Sequence, residues 1–246
     1  MSREGSGTTY TDGEDPPAGG ARGRPPEQKS PARPDEAGCP PAGAPRERRR
    51  MVERQLRRRG IEDGRVLAAM AEVPRELFLP EGCRRRAYRD GAVPIGEGQT
   101  MSQPWIVACM AQLLELSGGE RVLEVGTGSG YAAAVLSRLC REVVTIERFE
   151  SLAAEAGATL AQLGYDNVEV RVGDGALGAP DRAPFGGISV TAAASEEPPR
   201  PLFDQLAPGA ALVCPVDRGG RELLIRFRDG CEEPITGVRF VPLVRP

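Results

Sequence analysis

Histidine is absent from all 246 residues. That excludes Ser-His and Cys-His nucleophile systems and most zinc and non-haem iron sites. Lysine occurs once, at Lys29, in a stretch without core residues, so neither a Walker-type phosphate loop nor a Schiff-base lysine is available. The chemistry must therefore proceed without a general base of near-neutral pKa. No apolar run approaches the ~18 residues needed to cross a bilayer, and the N-terminus lacks the apolar centre of a signal peptide. A net charge of −3 offers no global basic field, so neither a membrane nor a nucleic-acid partner is expected. Cys39, Cys83, Cys109, Cys140, Cys214 and Cys231 are scattered without a C-x-x-C pair. Such spacing suits free thiols in a reducing cytoplasm better than a disulfide framework, and no metal site is expected.

Residues 1–45 are rich in Pro, Gly, Ser and charge and almost free of large apolar side chains, so a disordered tail is expected there. Met51 opens MVERQLRRRGI, an alternative start. The foldable domain is expected over 46–246, beginning with a helical cap over 46–104. Helices are predicted at Arg46–Arg59 and Glu62–Val73, the latter with Val66, Leu67, Met70 and Val73 at helical spacing, and a short one at Pro74–Phe78. Arg84, Arg85 and Arg86 read as a solvated face, with contact to an acidic peptide the alternative. Residues 91–104, GAVPIGEGQTMSQP, read as a long loop, and loops of this length inside a compact domain are usually functional or disordered. A helix follows at Trp105–Leu116. Ser102 is placed to cap it, so capping and chemistry are both open for this serine.

The centre of the chain is RVLEVGTGSGY, residues 121–131. A short β-branched strand runs through Gly126, Gly128 and Gly130 into a helix, the way α/β folds bring backbone N–H groups close to a ligand. The dinucleotide fingerprint wants Gly or Ala where Tyr131 stands. The pattern from Glu124 is acidic-x-Gly-x-Gly-x-Gly, which resembles the first motif of S-adenosylmethionine-dependent methyltransferases. A second strand, Glu142–Ile146, closes on Glu147, about 20 residues on, where Rossmann-like folds place an acid for ribose hydroxyls. A helix at Glu150–Leu163 and strands at Val168–Val172, Gly187–Thr191 and Ala210–Val216 follow, with a short helix at Pro201–Leu206. Strands at Glu222–Phe227 and Val238–Val244 lack a helix between them and must pair antiparallel. The expected fold is a three-layer α/β, Rossmann-like methyltransferase domain, its sheet mostly parallel, with an antiparallel C-terminal pair and an N-terminal helical cap.

Taken in order, VPRELF, VPIGEGQTMSQP, VLEVGTGSGY, GDG, APF followed by VTAA, and RFVPL resemble the protein-L-isoaspartate (D-aspartate) O-methyltransferase family. The loop before Trp105 is the diagnostic part, and Ser102 matches the family's active-site serine. The resemblance implies transfer of a methyl group from S-adenosylmethionine to the free carboxylate of isoaspartyl or D-aspartyl residues in damaged proteins and peptides. The ester then closes to a succinimide, whose hydrolysis returns some normal aspartate. It further implies that Glu124, Gly126, Thr127, Gly128 and Gly130 surround the methionyl part of the cofactor, that Glu147 and Arg148 hold the ribose, and that Asp174 and Gly175 sit at the adenine. Gln99, Thr100, Met101 and Ser102 would close over the cofactor and meet the substrate, with a monomer as the expected assembly. Three residues depart from the pattern: Gly186 where the family usually has Asp, Met101 for a common isoleucine, and Trp105 for a smaller ring, which would narrow the peptide groove. Two alternatives stand beside this reading. One is a carboxylate methyltransferase acting on another peptide or small molecule; the other is a relative that binds cofactor without catalysis.

Overall fold

The computed structural model describes residues 43–243; the tail expected over 1–45 lies outside the described residues except for its last three. Of these, Ala44 and Pro45 already belong to helix α1, Ala44–Met51. The helical path continues through a π turn, Val52–Leu56, and a 3-10 turn, Arg57–Arg59, to Gly60 at φ 88°. Helix α2, Gly64–Glu72, starts where Asp63 accepts from the N–H groups of Arg65 and Val66, a cap of the kind that contributes ~1 kcal/mol. Val66, Leu67 and Met70 are buried as their spacing predicts. A 3-10 turn over Arg75–Phe78 follows.

The long loop is not structureless. Val93–Gly96 (β1) and Gln99–Met101 (β2) pair antiparallel. Val93, Ile95 and Met101 point inward, while Pro94, Gly96 and Thr100 are exposed. The reversal uses three successive positive-φ residues, Gly96, Glu97 and Gly98, so the glycines that suggested irregularity serve a hairpin. The N-cap position of helix α3, Pro104–Leu113, is Gln103 rather than Ser102, and neither side chain makes a capping bond. Pro104 forces the residue before it out of the helical region, and Gln103 is extended at φ −51°, ψ 141°.

Strands β3 (Arg121–Val125), β4 (Glu142–Glu147), β5 (Val168–Val172), β6 (Phe185–Val190), β7 (Ala194–Ser195), β8 (Leu206–Asp217), β9 (Glu222–Arg228) and β10 (Cys231–Gly237) form one sheet in the order β10-β9-β8-β6-β3-β4-β5, with β7 beside the end of β8. Strands β3 to β6 and β8 are parallel; β9 and β10 are antiparallel. Helices α4 (Tyr131–Ser137) and α5 (Glu150–Gln162) connect the parallel strands, and α6 (Arg200–Phe203) precedes β8. Two apolar cores result. One joins the cap, α3, α4 and α5 to one face of the sheet, and the other joins Leu123, Ile146, Ile188 and Leu212 to Leu202 on the opposite face. That is the expected three-layer arrangement.

The last strand differs from expectation. It lies at Cys231–Gly237, not Val238–Val244. Asp229 and Gly230, at φ 49° and 76°, close a two-residue hairpin that pairs Arg228 with Cys231. Asp-Gly is the preferred sequence for such a turn. The following segment instead folds back: Ala193 N–H donates to Val241 O (2.8 Å) and Leu243 N–H to Ala193 O (2.7 Å).

Candidate active site

Strand β3 sits where the order reverses, with β4 on one side and β6 on the other, the position at which open α/β sheets bind ligands beyond the carboxyl ends of their strands. A cavity open to solvent lies there. Its lining includes the turn Gly126–Ser129, Ile146 and Glu147 at the end of β4 with Arg148 and Phe149 after it, and Gly175 after β5; Ser189 of β6 and Thr191 and Ala192 beyond it also contribute. The cap supplies Gln99, Thr100, Met101 and Ser102 together with Val107, Met110 and Ala111 of α3. Tyr131 and the C-terminal residues Val241, Pro242 and Leu243 complete the wall.

Within the glycine turn, Gly126 cannot carry a side chain. A Cβ at Gly126, at φ 95°, would lie 2.4 Å from Thr191 Oγ1, whose hydroxyl donates to the carbonyls of Val125 and Gly126 (3.0 and 2.7 Å). The backbone is thus held bare against the cavity. Glu147 is buried and already accepts three bonds: Gly128 N–H on Oε2 (2.8 Å), and Arg148 and Phe149 N–H on Oε1 (2.9 and 3.1 Å). A carboxylate offers about four acceptor positions, which leaves one for an incoming hydroxyl.

Ten of the predicted residues therefore share one cavity: Gln99, Thr100, Met101, Ser102, Gly126, Thr127, Gly128, Glu147, Arg148 and Gly175. Three are not part of its wall. Gly130 caps α4 and packs on Ala156 and Leu160. Asp174 accepts from Ala176 N–H (2.9 Å). Glu124 is fully buried, its Oε2 accepting from Thr145 Oγ1 (2.6 Å), which in turn lies 2.7 Å from Thr127 Oγ1. Burial, together with the charge of Glu147 and against the bond from Thr145, pushes the Glu124 carboxyl up to about 8. Glu124 thus reaches the cavity only through two threonine hydroxyls.

The departures also find places. Trp105 is absent from the cavity wall. Its indole N–H donates to Arg59 O (3.1 Å) and the Arg59 guanidinium lies 5.0 Å over its ring. Gly186 lies at the start of β6, the end of the strand remote from the cavity; a Cβ there would be 2.5 Å from Glu120 Cγ. Sequence reading missed Tyr131, Phe149, Thr191 and Val241–Leu243 as wall residues. The motifs VTAA and RFVPL contain several of them, but the expected strand Val238–Val244 assigns the second motif to the sheet edge. Among the described residues no cluster of His, Cys, Asp and Glu could hold a metal ion, and no helix is long and apolar enough to cross a membrane.

The family model for protein-L-isoaspartate(D-aspartate) O-methyltransferase matches residues 46–246. The chain belongs to this family. Similar members include a protein-L-isoaspartate O-methyltransferase from Methanoregula boonei, 56% identical over 204 residues, which span 80% of this chain and 93% of that protein. Another, from Anaeromyxobacter sp., is 55% identical over 204 residues, 81% of this chain and 84% of the other. Among solved structures, a Plasmodium falciparum protein-L-isoaspartate O-methyltransferase in complex with S-adenosyl-L-homocysteine superposes with a TM-score of 0.70 at 25% identity, covering 80% of this chain and 98% of that one.

Proposed function

We propose that the protein transfers a methyl group from S-adenosylmethionine to the free carboxylate of L-isoaspartyl residues, and of D-aspartyl residues, in damaged proteins, and so starts their repair through a succinimide. The observation that carries this reading is the position of Ser102. It lines the same cavity as the glycine turn, and with Gln103 at the N-cap position its hydroxyl makes no hydrogen bond to the described residues.

The cavity's features fit S-adenosylmethionine: a glycine-rich turn, one open acceptor position on Glu147, and the ring of Phe149. Gly126, Thr127 and Gly128 would face its methionyl part, Glu147 its ribose and Gly175 its adenine. When bound, it supplies an electrophilic sulfonium methyl group. The substrate carboxylate is ionised at neutral pH, so the chain needs no base, in keeping with its lack of histidine. Its residues align and desolvate. The Ser102 hydroxyl donates to one carboxylate oxygen and leaves the other free to attack, while Met101, Val107 and Met110 exclude water. Alignment of this kind contributes up to ~7–11 kcal/mol to lowering a barrier. The described cysteines are all free, which supports a cytoplasmic setting.

The test is a tritiated-cofactor assay with an isoaspartyl peptide and its normal aspartyl isomer. Methylation of the first alone is expected. Ser102→Ala should lower turnover on the order of tenfold or more and leave S-adenosylhomocysteine affinity unchanged. Equal methylation of both isomers would refute the substrate reading, and parallel loss of turnover and affinity would make the serine structural.

A further inference from the structure

Arg75 is the largest fully buried side chain of the described residues, at 0% exposure. A desolvated guanidinium is costly unless paired, yet no carboxylate among the described residues pairs with it. Instead Nε donates to Ala87 O (2.8 Å) and Nη2 to Ser102 O (2.6 Å). The guanidinium lies 4.6 Å over the ring of Tyr131, and Nη1 is buried without a partner.

These contacts have a pattern. Ala87 and Ser102 are the two ends of the segment that carries the β1–β2 hairpin, and Tyr131 is the first residue of the helix that leaves the glycine turn. One planar fork therefore ties both ends of the overlying hairpin to the element that follows the glycine turn. A guanidinium spans two carbonyls from a rigid planar fork that stacks flat on a ring; an ammonium is a point charge on a flexible stem and does not fix that geometry. The hairpin itself rests on the turn through Ile95, whose Cδ1 would lie 3.3 Å from a Cβ at Gly128.

We infer that Arg75 is a positioning residue for the methyl transfer: by holding the Ser102 carbonyl it sets the angle at which the Ser102 hydroxyl meets the substrate carboxylate. The inference rests on the role proposed above for Ser102. It accounts for an uncompensated buried charge that packing alone would replace by an apolar side chain of similar volume.

The test is a double-mutant cycle between Arg75→Lys and Ser102→Ala, with turnover expressed per S-adenosylhomocysteine-binding molecule so that only folded protein is counted. Arg75→Gln, planar but uncharged, serves as a second variant should the lysine fold poorly. Arg75→Lys should lower kcat on the order of ten- to a hundredfold, the scale of a misplacement near 1 Å, with KM for the peptide and affinity for S-adenosylhomocysteine changed by no more than about twofold. In the Ser102→Ala background the same substitution should cost little more, because groups acting as a unit are not additive. Equal losses in both backgrounds, or a fall in S-adenosylhomocysteine affinity in step with kcat, overturn the inference and leave the methyltransferase reading standing. No methylation of the isoaspartyl peptide by the parent protein, despite tight S-adenosylhomocysteine binding, would instead remove the substrate reading.

Discussion

Replacing Arg48 by methionine tests whether the first helix is part of the domain or an appendage to it. Arg48 lies three residues before Met51, the alternative start, and its side chain is 12% exposed against 1% for its partner Glu76. The Glu76 carboxylate accepts from Arg48 Nη2 (3.2 Å) and, through a short bond, from the Tyr88 hydroxyl. Arg48 Nε donates to the same hydroxyl oxygen (2.9 Å), and Nη1 to Glu72 O (2.6 Å). Loss of Arg48 strands a buried carboxylate, and breaking a buried pair from one side costs about 3–5 kcal/mol. For a domain of this size ~1 kcal/mol shifts Tm by ~2–4 °C, so Arg48→Met should lower Tm by roughly 6–20 °C. Adding Glu76→Gln should recover most of that loss, because the penalty belongs to the unpaired charge. A chain beginning at Met51 also loses buried Ala44 and should melt no higher than Arg48→Met, whereas removal of residues 1–42 keeps every contact named here. Thermal unfolding followed by circular dichroism reads all four. An Arg48→Met protein melting within about 2 °C of the parent would refute the reasoning.

Two further outcomes follow from buried groups. The Glu124 carboxyl, raised from 4.5 to about 8 by burial, binds a proton in the folded state that the unfolded chain has already released; stability should therefore fall as pH rises from about 4.5 to 8. Glu124→Gln should flatten that slope in urea titrations at several pH values, and an unchanged slope would place its origin elsewhere. Restoring the family's usual acid by Gly186→Asp should destabilise by ~1–3 kcal/mol without changing S-adenosylhomocysteine affinity. Its Cβ meets Glu120 Cβ and Cγ at 2.7 and 2.5 Å, and displacing Glu120 would free the Ser117 and Gly118 N–H groups it accepts. A variant as stable as the parent in chemical denaturation would show that Glu120 can move aside.

Local pattern was enough for the order of strands and helices, the bare turn after β3 and the acid ending β4. Each rests on periodicity or on glycine spacing within a few residues, and Val122, Leu123 and Val125 are buried as that pattern requires. The cap helices were legible for the same reason. The loop over 91–104 and the last strand were not, although both errors had local signals: alternating Val93, Ile95 and Met101, and Asp229-Gly230 with both φ angles positive.

Tertiary structure alone decided the rest. That Ser102 lines the cavity, with its carbonyl held by Arg75, follows from no local pattern. Glu124 and Glu147 look alike as acids ending β-branched runs, yet one is sealed behind two threonines and the other borders the cavity. Arg75 and Arg48 are ordinary arginines in a basic segment until the fold buries them against carbonyls and a carboxylate far along the chain. The difference is one of range: side-chain periodicity reports which face of an element is buried, whereas what that face is buried against, and which charges lose their water there, is set by contacts between segments that sequence order keeps apart.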